Sequence, residues 1–241
     1  MNRINKAARI AGVVYLSMIV VAPFSLLYVP GKLIVHGNPA ATAGNILTHE
    51  MLFRLSIVGD LVASVIFMCL GLALYRLLKS VNRTWAGAMV ALVLVSATIG
   101  FLNVLNNIAA LTLFREENFL AAFEKPQRDA LGYLFLRLHN QGEFINEIFW
   151  GLWLLPFGLL VYRSGFLPRF IGVWLMLACF AWLVLSLTAL LFPSYYETAF
   201  RIAQPAVFAE LAMMLWLLIR GARVRPGEDV RGQMTEARCE A

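Results

Sequence analysis

The feature that most constrains this chain is a repeated one: apolar runs of about 20 residues recur from one end to the other, separated by short polar breaks. A helix rises about 1.5 Å per residue, so such a run crosses a hydrocarbon layer roughly 30 Å thick. The runs are continuous rather than alternating, which excludes the period-two pattern of an outer-membrane barrel. Composition agrees: the 241 residues are 61% hydrophobic and 14% charged, with a mean hydropathy of +0.75. A soluble domain is about half apolar and roughly a quarter charged. The predicted fold class is therefore all-α, a polytopic membrane helical bundle of about six transmembrane helices whose first partner is the lipid bilayer.

Spans are predicted at 10–29, 53–78, 85–114, 130–162, 170–192 and 203–220, forming one domain over residues 1–222. Arg3, Lys6 and Arg9 precede the run from Ile10 to Val29 as the charged start of a signal peptide would, but no convincing small-residue cleavage site follows. That run is read as the first span. The Ser164-Gly165 pair followed by Pro168 ends one helix and starts the next, and Pro193 and Pro205 bracket the last short turn. Asn38-Pro39 reads as an N-cap with proline at the first helical position, which predicts a short surface helix from Pro39 to about Glu50. Beyond Arg225 the chain turns charged and poor in large apolar residues, so residues 223–241 are predicted to form a disordered cytoplasmic tail.

The net charge of +6 does not point to nucleic acid, because the basic residues fall at span ends rather than on a separate domain. They orient the protein instead. With six spans, Arg3, Lys6, Arg9, Arg76, Lys79, Arg83, Arg163, Arg169, Arg220, Arg223 and Arg225 share one face, which the positive-inside rule makes cytoplasmic, together with both termini. On the other face Lys32, Arg115, Lys125, Arg128 and Arg201 are diluted by Glu116, Glu117, Glu124, Asp129 and Glu197. Cys69 and Cys179 lie in apolar runs and Cys239 in the tail, so neither a disulfide nor a zinc site is suggested.

Several stretches carry a family resemblance. Leu138-His139-Asn140-Gln141-Gly142, Phe149-Trp150-Gly151-Leu152-Trp153-Leu154-Leu155-Pro156 and Tyr162-Arg163-Ser164-Gly165-Phe166-Leu167-Pro168-Arg169 form one group. Leu52-Phe53-Arg54-Leu55 with Asp60, and Tyr28-Val29-Pro30-Gly31-Lys32-Leu33-Ile34-Val35 ahead of it, form another. Together they resemble the DUF4386 family of bacterial membrane proteins, over nearly the whole chain except the tail. The resemblance implies a multi-pass protein of the bacterial inner (plasma) membrane. It assigns no activity and carries over no functional residue.

Function has to be sought in the polar residues within the spans. Asp60, Glu143, Glu147 and Glu210 would together cost on the order of 10 kcal/mol if all faced lipid at depth, so they must point inward, sit near an interface or be neutral. His139, Glu143 and Glu147 are spaced four apart and form a stripe on one helix face, with Asn140 and Asn146 beside it. Asn103 and Asn107 repeat the spacing on the third span, with Asn106 alongside. Counting from the basic span ends places Asp60 and the asparagines in the outer half and Glu210 nearer the middle. The candidate ligand-binding set is thus Asp60, Asn103, Asn107, His139, Glu143, Glu147 and Glu210, lining an outward-facing polar cavity that narrows toward Glu210, with Trp150 and Trp153 below.

Each member also has a plainer reading. Asparagines often do no more than hydrogen-bond between membrane helices, at about 0.6 kcal/mol each. His139 taken alone reads as a surface or capping histidine. Arg54 and Arg137 read as interfacial, snorkelling or pairing with acids, and the tryptophans as packing or interface markers. A carboxylate buried in a membrane is a functional candidate by default.

Three functions compete. The first is binding or transport of a small polar solute or ion, with Pro156, Gly151 and Gly158 offering a hinge in the fourth span. The second is a structural or regulatory subunit whose polar stripe is buried against a membrane protein partner. The third is an intramembrane metal-dependent enzyme with His139, Glu143 and Glu147 as weak candidate ligands; against it, there is no His-Glu-x-x-His motif. Nucleotide-binding loops, nucleophile triads and heme-ligand pairs are absent as motifs, so no cofactor is predicted and the enzyme reading ranks last.

Overall fold

The structure is a computed structural model that describes residues 3–115 and 117–222. The predicted tail, 223–241, lies outside the described residues, as do Met1, Asn2 and Glu116. Helix α1 (Arg3–Pro23) passes through a single π turn (Phe24–Tyr28) into α2 (Val29–Leu33). A short α3 (Pro39–Thr48) leads to α4 (Glu50–Leu78) and α5 (Arg83–Phe114). Next come α6 (Lys125–Leu152), α7 (Leu154–Arg163), α8 (Arg169–Leu191) and α9 (Tyr196–Ile219). Among the described residues six stretches are long and apolar enough to cross a membrane: Ile4–Leu33, Glu50–Leu78, Arg83–Phe114, Lys125–Arg163, Arg169–Leu191 and Pro193–Ile219.

These spans close into a ring. α1 packs on α4, α4 on α5, α5 on α6, α6 and α7 on α8, and α8 on α9, which returns to α1. The turns at 79–82 and 164–168 fall at the end of the ring that holds Lys6, Arg9 and Arg220, here called the basic end. The loops at 34–49, 115–124 and 192–195 lie at the opposite, loop end.

Local chemistry accounts for the breaks. The Asn38 side chain accepts a hydrogen bond from the Ala41 amide at 3.0 Å and Pro39 opens α3, so the cap operates as its sequence requires. Gly165 turns the chain between α7 and α8 at φ 73°, a conformation open to glycine without a Cβ penalty. Those helices also touch backbone to backbone, since a Cβ on Gly158 would stand 2.6 Å from the Gly172 carbonyl oxygen. Small residues allow such approach between membrane helices.

Several span ends differ from those the sequence predicts: the first span runs from Ile4 to Leu33 rather than over 10–29, and the last and fourth spans differ for identifiable reasons. The last span begins at Pro193 rather than near 203, because Pro205 lies inside α9 instead of before it. Membrane helices tolerate an internal proline when the disturbed backbone is re-satisfied; the carbonyl that loses its donor is that of Arg201, and the Trp174 indole donates one turn on, to the Pro205 carbonyl, at 2.9 Å. The fourth span is longer than 130–162: it starts at Lys125, where Glu124 and Gln127 form a capping box, and is interrupted at Trp153. Pro156 has no N–H to offer the Leu152 carbonyl, which places the interruption beside the expected hinge.

Among the described residues the buried apolar side chains gather in two clusters. The larger fills the basic half of the ring around Trp153, whose indole stacks on Phe157 at 5.3 Å and meets Phe67 edge-on at 5.3 Å. The smaller joins Val29, Leu33, Ala43, Ile46, Phe53, Val104, Phe114 and Leu136 at the loop end. It caps the ring with residues of α2 and α3. Between the two clusters lies a polar layer.

Candidate functional site

Three helices supply the polar layer. Asp60 comes from α4, Asn103, Asn106 and Asn107 from α5, and His139 and Glu143 from α6. The four-residue spacing puts Asn103 and Asn107 on one face of α5 and His139 and Glu143 on the facing side of α6. Asn103 is the hub: its Nδ2 donates to Glu143 Oε1 at 2.8 Å and to the His139 carbonyl at 2.9 Å, while its Oδ1 accepts from Asn106 Nδ2 at 3.0 Å.

Close approach makes this possible. A Cβ on Gly142 would overlap the Asn103 side-chain amide, so glycine one residue before Glu143 admits the hub.

The tautomer of His139 follows from its neighbours. Nδ1 lies 3.2 Å from the Asn103 carbonyl, which can only accept, so Nδ1 carries the proton. Nε2 then accepts from Asn107 Nδ2 at 3.3 Å. The same Nε2 stands 3.9 Å from Asp60 Oδ2 and 3.9 Å from Glu143 Oε1. Three titratable side chains from two helices thus face one another, each under one-fifth exposed. His139 is no surface or capping histidine here; its ring is fixed at both nitrogens.

Below this group, toward the basic end, is a cavity of about 70 Å³. Asp60 and Glu143 line it with Ser25, Ser64, Asn146 and Trp150. A water needs roughly 10–15 Å³ on this scale, so the space suits a few waters or a small ion. The Ser96 hydroxyl, also at the wall, donates to Asn146 Oδ1 at 2.8 Å. Ionised, Asp60 and Glu143 would place up to two negative charges here, and a cation is the ligand complementary to that form.

The other carboxylates stand apart. Glu147, 4% exposed, accepts from the Tyr196 hydroxyl at 2.7 Å through Oε1, and its Oε2 has no hydrogen-bond partner among the described residues. Glu210 accepts from the Tyr15 hydroxyl at 2.7 Å and from the Trp182 indole at 3.3 Å. Tyr15 in turn lies against Trp153, and Trp182 against Trp150, so Glu210 sits behind the aromatic floor of the cavity. The structure therefore brings together Asp60, Asn103, Asn107, His139 and Glu143 but neither Glu147 nor Glu210. Neither Glu147 nor Glu210 lines the cavity beside Asp60 and Glu143, and the apolar cap lies between the polar layer and the loop end.

Metal ligation finds no arrangement either. Among the described residues no three His, Cys, Asp or Glu side chains are grouped to hold a metal ion, and the stripe of His139, Glu143 and Glu147 divides between α5 and α9 partners. Asn103 and Asn107 act as interhelical hydrogen-bonding groups and do not line the cavity, whereas Asn146 does. Arg54 pairs with Glu50 at 2.7 Å at the loop end.

Sequence reasoning passed over Ser25, Ser64, Tyr15, Tyr196 and Trp182. Serine and tyrosine blend into an apolar run, and only Ser25 carried a signal: it lies between Pro23 and Pro30, two prolines that disturb one helix.

The fold and site define a class, an all-α membrane bundle whose ring of spans encloses a layer of amide and titratable side chains. Residues 10–221 match the family DUF4386, described as a domain of unknown function, and the chain belongs to that family. It is also similar to an uncharacterized protein of Archaeoglobus fulgidus, at 28% identity over 169 residues, covering 70% of this chain and 85% of that one. No solved structure matches the chain.

Proposed function

We propose that this protein binds a small polar solute or cation in the polar layer and passes it across a bacterial inner membrane, with both termini cytoplasmic. One observation carries the reading: Asp60, His139 and Glu143 converge within 3.9 Å contacts beside a cavity of about 70 Å³. Polar groups with no work beyond helix adhesion are expected to consume one another's hydrogen-bonding capacity. Here two carboxylates line one half-open space instead. The orientation rests on Lys6, Arg9, Arg76, Lys79, Arg83, Arg163, Arg169 and Arg220 lying at one end of the ring, the pattern of a cytoplasmic face.

Apolar clusters on both sides of the layer suit a protein that exposes its site to one side at a time. The break at Trp153 and the π turn of the first span give two helices a place to bend. The test is ligand-dependent stability. A ligand at 100 times its Kd raises stability by about 2.7 kcal/mol, so a panel of small cations and neutral polar solutes at fixed ionic strength should contain at least one that raises the unfolding midpoint of purified protein. That shift should vanish in Asp60→Asn and Glu143→Gln, and the same solute should enter liposomes containing the wild-type protein. A panel that leaves the wild type unmoved ends the proposal.

A further inference from the structure

The first span holds a backbone irregularity at the wall of the cavity. Residues Phe24–Tyr28 form a π turn in which the Val29 amide donates to the Phe24 carbonyl, one residue further back than in an α-helix. The Ser25 carbonyl would take its α-helical bond from Val29, which is committed to Phe24, or its π bond from residue 30, which is proline and has no N–H. It is left without a donor from the helix ladder.

Ser25 is 4% exposed and lines the cavity with Asp60 and Ser64. It also packs against the residue before Asp60, since a Cβ on Gly59 would stand 3.3 Å from the Ser25 Cβ. A carbonyl without its helical bond, on a buried residue, is an uncommon feature because backbone acceptors removed from water are nearly always paired.

The oxygens gathered here are of one kind. The Ser25 hydroxyl is turned toward the Ala22 carbonyl at 3.4 Å, and the Ser64 hydroxyl donates to the Asp60 carbonyl at 2.9 Å. The Ser25 hydroxyl is also in hydrogen-bonding contact with the Asp60 carboxylate, and both hydroxyls keep oxygen lone pairs. Asp60 adds a carboxylate. Neutral oxygens beside a carboxylate, and no thiolate or imidazole among the lining residues, suit a hard cation rather than a transition metal. Unwound backbone carbonyls in membrane helices bind sodium ions in this way.

We infer that the ligand class of the polar layer is a dehydrated monovalent cation of sodium size, held by the Ser25 carbonyl and hydroxyl, the Ser64 hydroxyl and the Asp60 carboxylate. This rests on the proposed function and narrows it. Pro30 contributes to this site although it offers no side-chain ligand, because its missing N–H withholds a donor from the carbonyls of Ser25 and Leu26, its acceptors in the π and α registers.

The experiment measures equilibrium binding of radioactive sodium to purified protein, in competition with potassium and with an uncharged polar solute panel. Wild type should bind sodium at least 10-fold more tightly than potassium. Pro30→Ala restores an N–H that can close the ladder, so its half-saturating sodium concentration should rise at least 10-fold while its unfolding midpoint without sodium stays level or rises. Ser25→Ala removes the hydroxyl and should raise that concentration about 5-fold. If sodium binding is unchanged in both variants, or sodium does not bind while another solute does, the sodium site is wrong and the wider reading stands. If nothing binds, both fall.

Discussion

Two kinds of buried carboxylate occur in this molecule, and comparing them shows what separates a site from a fastener. Glu210 is satisfied by the Tyr15 hydroxyl and the Trp182 indole, donors from α1 and α8, and does not line the cavity beside Asp60. Asp60 and Glu143 face a histidine nitrogen at 3.9 Å and open space. The residue type and the low-dielectric surroundings are shared; the partners differ. A hydroxyl donor to a carboxylate is a bond worth keeping, and it ties three helices together. Two carboxylates beside an imidazole and open space can take up a proton or a cation. Glu147 lies between these extremes, with Tyr196 on one oxygen and, among the described residues, no partner on the other.

Single substitutions can break this contrast, and the largest effect is expected at the wall between the two regions. Trp153, 1% exposed, packs against both Tyr15, which holds Glu210, and Phe67, which lines the cavity. Trp153→Ala should cost about 3–5 kcal/mol in reversible unfolding, the usual loss for a large buried aromatic. A loss under about 1 kcal/mol would mean that the aromatic floor is not a packed barrier.

Next is the fastener. Tyr15→Phe leaves a buried carboxylate oxygen short of its donor and should lower stability by about 1–3 kcal/mol, with ligand-dependent stabilisation intact. Ligand binding that disappears in Tyr15→Phe would place Glu210 in the site and erase the distinction between site and fastener.

Gly142→Ala tests the opposite side. A methyl there overlaps the Asn103 amide, so about 1–3 kcal/mol of overpacking is expected. Here ligand-dependent stabilisation should be lost too, because Asn103 holds Glu143. The smallest effect is expected for Asn107→Ala, which removes one interhelical hydrogen bond to His139. Its cost should be about 0.6 kcal/mol. Chemical-shift measurement on the His139 ring should report a changed tautomer balance if Asn107 selects the tautomer.

Much of the frame is legible in the sequence. Asn38 with Pro39, Gly165 with Pro168, and the long apolar runs each act through local geometry, and each stands where its local pattern requires. The polar stripe on the fourth span is legible for the same reason, because a four-residue repeat is a helix face. Pro205 misleads, since a proline ends a helix in water but is tolerated inside a membrane helix.

What the sequence by itself determined is a bundle of six apolar helices with carboxylates, asparagines and one histidine at membrane depth. Composition and period suffice for that, because lipid enforces backbone pairing within each helix. Only the tertiary structure decided which of those groups meet. Glu143 and Glu147 are one turn apart on the same helix, yet one turns to Asn103 of α5 and the other to Tyr196 of α9. The order of helices around the ring sets those partners, and no local pattern encodes that order. It also set Ser25 of the first span beside Asp60 of the second, where a π turn leaves a carbonyl without its bond at the cavity wall.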